Sequence, residues 1–120
     1  MPKAIVILQD DPARAQNLAS QIRPISDVVF IAQSLAELQT IASQFPIPIG
    51  VLDLGLVTLQ EIVYLRLHLG MQIVCTHHTP DEVMWTAAMD AGALDCCFDD
   101  DGQAICRAIH RAAMFCNQTR

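Results

Sequence analysis

The chain has 120 residues, 52% of them hydrophobic, and thirteen acidic against seven basic side chains give a formal net charge of -6. This is the size of one domain with a core of its own, expected to run from 1 to 120 without a linker. The acidic balance and the scatter of Lys and Arg exclude direct nucleic-acid binding, and no apolar run approaches the roughly 20 residues that span a bilayer.

Met1, Pro2 and Lys3 lead straight into a strand-like segment with none of the features of a signal peptide. Five cysteines (75, 96, 97, 106 and 116) contain no C-x-x-C motif, and their odd number argues against a closed disulfide framework. Reduced thiols and a cytoplasmic location are the expectation.

In chain order, "KAIVIL" (3–8) predicts the first strand. A helix over 12–23 follows, with Asp11 as cap, Pro12 in its first turn, and Leu18 and Ile22 on one face. "DVVFIA" (27–32) is the second strand. Residues 34–45 open with the capping-box pattern of Ser34 and Glu37 and put Leu35, Leu38, Ile41, Ala42 and Phe45 on one face.

"PIGVL" (48–52) is the third strand, and Thr58 with Glu61 repeats the capping signature for a helix over 58–69. "MQIVCT" (71–76) precedes a helix over 80–91, expected to be capped by Thr79, to start at Pro80 and to stop at Gly92. Val83 and Ala87 continue its inward stripe. "ALDCCF" (93–98) is the last strand. The last helix, 102–116, turns Ala104, Ile105, Ala108, Ile109 and Ala112 inward and leaves Arg107 and Arg111 outside.

Five strands alternating with five helices predict an α/β fold, a (βα)5 doubly wound parallel five-stranded sheet. In such sheets ligands bind outside the carboxyl ends of the strands. Four strands end in polar groups there: Gln9, Asp10 and Asp11, then Asp53, then Thr76, His77 and His78, and lastly Asp99, Asp100 and Asp101.

Over its whole length the sequence resembles the receiver domains of two-component response regulators, the CheY-like superfamily. "AIVILQDDP" is similar to their first strand and acidic turn, "VLDLG" to the phosphoacceptor strand, "IVCTHH" to the fourth strand with its hydroxyl residue, and "AMDAGALDCC" to the segment before the last strand. The resemblance implies the flavodoxin-like strand order 2-1-3-4-5. It also implies Asp53 as phosphoacceptor, Thr76 as switch hydroxyl, and Mg²⁺ held by Asp10, Asp53 and the Gly55 carbonyl. Mg²⁺ suits these roles as an oxygen-binding ion that neutralises the transferring phosphoryl group.

Departures from that pattern cluster in the same pocket. Asp99 stands where the family carries lysine, Asp100 where it carries proline and Cys96 at the switch aromatic. Gln9 replaces the first acidic residue unless Asp11 substitutes for it, Val57 replaces a proline, and the stretch from Asp53 to Thr76 is short for the family. Two unit charges about 4 Å apart interact by about 4 kcal/mol at an effective dielectric of about 20. An inward Asp99 therefore costs a phosphorylated Asp53 much of its stabilisation.

Two arrangements of the aspartate run remain open. Asp99 to Asp101 point to solvent and cap the last helix, or Asp10, Asp11, Asp53 and Asp99 crowd one pocket that takes a divalent cation or raises a carboxylate pKa. A zinc site from Cys75, His77, His78, Cys96 and Cys97 matches no established spacing. Cys106 with His110, one turn apart, and Cys75 with His77 as a nucleophilic pair are weaker still. No glycine-rich phosphate loop is present and no organic cofactor is expected.

Met84 and Trp85, with Arg107 and Arg111, form a candidate partner surface, Trp85 being either an exposed anchor or ordinary helix packing. In receiver-like domains the face of the fourth helix, fifth strand and fifth helix commonly serves a homodimer or a partner. The preferred reading is an atypical receiver, not an enzyme, that acts on a sensor kinase, phosphotransfer protein or transcription regulator by protein contacts. The alternatives are a working phosphoacceptor with slow self-phosphorylation and dephosphorylation at Asp53, and a purely structural or oligomerising domain.

Overall fold

The structure, a computed structural model, describes residues 4–118, with side chains to residue 116. Lys3, the first residue of the first expected strand, lies outside the described residues. Strands β1 (Ala4–Leu8), β2 (Val28–Ala32), β3 (Ile49–Asp53), β4 (Gln72–His77) and β5 (Asp95–Phe98) are all parallel, in the order β2-β1-β3-β4-β5. Helices α1 (Pro12–Ile22), α2 (Leu35–Gln44), α3 (Leu59–Leu69), α4 (Glu82–Asp90) and α5 (Gly102–Gln118) connect or follow them, and a 3₁₀ turn, Arg23–Ile25, extends α1. This is the expected doubly wound α/β fold and strand order.

The period-2 alternation of a strand divides the core in two. Ala4, Val6 and Leu8 face one cluster with Leu38, Ile62, Leu65 and Ala88 from α2, α3 and α4. Ile5 and Ile7 face the other, with Leu18 and Ile22 from α1 and Ile105 and Ile109 from α5. The continuous apolar run of β1 is thus buried on both faces.

Local chemistry sets most boundaries. Asp11 caps α1 by accepting from the backbone N–H groups of Ala13 and Arg14, and Thr58 with Glu61 closes a reciprocal capping box on α3. Gly70 ends α3 in the left-handed region at φ +64°, where other residues are strained.

Three expectations are corrected. Helix α4 is capped by Asp81, which accepts from Met84 N–H at 2.8 Å, whereas Thr79 N–H donates back to His77 Nδ1. An aspartate two residues closer to the helix displaces the threonine cap. Val83 is 78% exposed, and Ala88 carries the buried contact of α4, packed in the cluster with Ile62 and Leu65 of α3. Phe45 lies beyond the end of α2, half exposed against Phe30 with ring centroids 5.2 Å apart.

Candidate functional site

The carboxyl edge of the sheet is assembled by continuing its ladders past the strand ends. Gln9 N–H donates to Ala32 C=O, Leu54 N–H to Thr76 C=O, and Asp99 N–H to His77 C=O. Asp53 and Thr76 are register partners on β3 and β4. Gln9, Asp53, Thr76 and Asp99 are all buried.

Asp53 is 8% exposed. Its Oδ1 accepts from Gly55 N–H at 2.9 Å, and its carbonyl accepts from Leu56 N–H at 3.0 Å, so the turn after β3 holds the carboxylate in place. Thr76, buried as well, is its register partner on β4.

Asp99 departs from the solvent-facing arrangement. It is 4% exposed, and its Oδ2 lies 3.5 Å from the Arg14 guanidinium and 3.2 Å from His78 Nδ1. A buried carboxylate is stable only when paired or hydrogen-bonded. The pairing cation is supplied by the first turn of α1, which sits over the same sheet edge. Asp100 and Asp101 are exposed, and Asp101 alone behaves as a cap, accepting from Ala104 N–H at 3.1 Å. The aspartate run is therefore divided between an inward ion pair and a helix N-terminus.

Gln9 Oε1 accepts from Asp11 N–H at 3.1 Å, which fixes the other amide atom as nitrogen, and that buried Nε2 has no hydrogen-bond partner. Asp11 is engaged at the α1 cap and Asp10 is exposed. Among the described residues no group of three His, Cys, Asp or Glu side chains is placed to hold a metal ion. Of the residues the resemblance assigns to Mg²⁺, Asp10 and Asp53 keep carboxylates not engaged in a helix cap, and the first acidic position is the Gln9 amide, whose buried Nε2–H is without a partner.

The thiols do not form a centre either. Cys75 and Cys96 are register partners within one core cluster, whereas Cys97 belongs to the other. Burial, reinforced by neighbouring thiols and Asp95, pushes the Cys75 thiol far up, and burial with Asp95 beside it raises Cys97 to about 12. Neutral thiols of this kind are poor nucleophiles and poor metal ligands. His77 Nδ1 is taken by Thr79 N–H, and Cys106 Sγ lies 3.7 Å from Gln21 C=O.

On the far side of β5, Asp95 binds three groups: Trp85 Nε1–H at 3.3 Å, Arg111 Nη2 at 2.6 Å and Cys96 N–H at 2.8 Å. Trp85 is half exposed, Met84 is partly buried, and Arg107 and Arg111 are exposed. The structure thus brings Trp85 and Arg111 together through a residue that sequence reasoning did not single out. Arg14 and His78 were also missed as partners of Asp99. A charge inside the apolar "ALDCCF" run and an arginine three residues after the α1 cap were the available signals.

No protein-family model matches the chain, and no curated protein matches it. Solved structures do. It superposes on a response regulator receiver domain from Clostridium thermocellum with a TM-score of 0.85 at 17% identity, covering 98% of this chain and 99% of that one. A response regulator from Thermotoga maritima gives 0.84 at 12% identity, covering 93% and 98%. The signal receiver domain of a DNA-binding response regulator from Colwellia psychrerythraea gives 0.72 at 15% identity, covering 90% and 98%. The fold is that of response-regulator receiver domains, as the motif order implied. Among the described residues no helix is long and apolar enough to cross a membrane.

Proposed function

We propose that the chain is an atypical receiver domain that signals through protein contacts without a phosphorylation switch. One observation carries this reading: the buried Asp99 carboxylate, where the family resemblance expects a phosphate-pairing lysine, is closed by Arg14 and His78. A phosphoryl group on Asp53 would find, at the position of the family lysine, an anion whose Arg14 partner is already engaged. The receiver fold of the solved neighbours supports a place in two-component signalling, with a sensor kinase, phosphotransfer protein or transcription regulator as partner. The half-exposed Trp85, held by Asp95 beside Arg111, supports the α4-β5-α5 face as a contact or homodimer surface.

The second reading, a working phosphoacceptor, is favoured by the burial of Asp53 beside Thr76. Intact mass after incubation with a small-molecule phosphodonor and Mg²⁺ separates the two. The atypical reading expects no adduct on the wild type and a gained adduct on Asp99→Lys. A wild-type adduct that disappears in Asp53→Asn overturns it.

A further inference from the structure

The side of the molecule between α3 and α4 carries an uncovered apolar surface that adjoins the carboxyl edge at His77 and the outer face of α4 at Met84. An open depression of about 360 Å³ is floored by Leu54, Val57, Leu59, Val83 and Ala87. A second, sharing Val83 and Ala87, continues along α4 and is bordered by Glu82 and Asp90. Leu59, Val63 and Leu67 recur every fourth residue along α3 and are all exposed, Leu67 by 76%. An exposed helix face normally carries charge, so an apolar stripe at this spacing marks a contact surface.

Charge decides what fits it. The carboxylates bordering the groove stand at the two ends of α4, about 12 Å apart along the helix at 1.5 Å per residue. No arginine or lysine lines either depression. A second copy of a chain with net charge -6, or an anionic membrane surface, would be repelled at this rim. We infer that the α3–α4 groove docks a basic amphipathic helix of a protein partner, its apolar side on Leu59 and Val83 and its lysines or arginines against Glu82 and Asp90. This is helix-in-groove recognition, with the acidic rim setting orientation. The inference rests on the reading of the chain as a protein-interaction module and is independent of the state of Asp53.

The test is fluorescence anisotropy of the whole chain with two short synthetic amphipathic helices. Both have leucines along one face, one with lysines and the other with glutamates on the flanks. The lysine peptide is expected to bind and the glutamate peptide not. Binding should weaken by about tenfold or more in Val83→Glu, a surface change that spares the core, and persist in Trp85→Ala. Glu82→Lys with Asp90→Lys should reverse the peptide preference. Absence of binding, equal binding of both peptides, or indifference to Val83→Glu overturns the inference. So does wild-type self-association in light scattering that Val83→Glu abolishes, which assigns the groove to a second copy. A phosphoryl adduct on Asp53 would overturn the phosphorylation-free reading and leave the peptide result unchanged.

Discussion

The Asp99 carboxylate lies 3.5 Å from the Arg14 guanidinium, joining the end of β5 to the first turn of α1 across the carboxyl edge of the sheet. The first helical turn after β1 supplies a cation to the last strand, and His78 from the end of β4 approaches the same oxygen. Three separate segments are tied together at the carboxyl edge of the sheet.

Removing Arg14 leaves a buried carboxylate with His78 as its remaining partner. Arg14→Ala is expected to lower stability by about 1–3 kcal/mol, the cost of under-satisfying a buried charged acceptor. The double variant Arg14→Ala with Asp99→Asn should lose less than the sum of the two single changes. Urea unfolding of the four proteins gives the cycle, and strict additivity would show that the pair contributes no coupling.

Asp95 accepts from Trp85 and Arg111 at once, so Asp95→Ala releases α4 and α5 together. A loss of about 1–3 kcal/mol is expected, with Trp85 emission shifted as its indole N–H turns to water. Arg111→Ala should cost less, since exposed ion pairs contribute about 0–1 kcal/mol. Equal losses in the two variants would argue against Asp95 as the shared anchor.

The thiols predict an alkaline limit to stability. Burial raises Cys97 from 9.0 to about 12 and Cys75 in the same direction. Below pH 9 both states keep the proton and nothing is lost. Above 9 the unfolded chain gives up protons that the folded chain retains, so stability falls with pH, by up to about 1.4 kcal/mol per unit for each such group. Urea midpoints between pH 8 and pH 11 should therefore decline less steeply in Cys97→Ala than in wild type. Parallel declines would contradict the assignment.

Gln9 Nε2 has no hydrogen-bond partner in a buried position. Gln9→Asp exchanges that donor for a carboxylate beside Asp10 and is expected to strengthen divalent-cation binding about tenfold or more over wild type. Water-proton relaxation in a Mn²⁺ titration measures it. Tight Mn²⁺ binding by wild type would show that the amide does not disable the site.

Much of the fold was legible in the sequence because strand and helix periods, caps and turn residues act locally. The run "AIVIL" reads as a strand buried on both faces, and the box of Thr58 and Glu61 starts α3 as expected. The α4 start was misplaced because Thr79 and Asp81 are both competent caps, and hydrogen-bond reach to Met84, not composition, chose between them.

Sequence alone determined that the polar strand ends would share one edge, since a parallel sheet sends every carboxyl terminus the same way. The register that sets Asp53 beside Thr76 belongs to the folded sheet, since it depends on β3 and β4 being neighbours. Which way Asp99 would turn, and that Arg14 and His78 would meet it, only the tertiary structure decided. A side chain's charge partner is set by which elements pack over it, and no period or spacing along the chain encodes that distance.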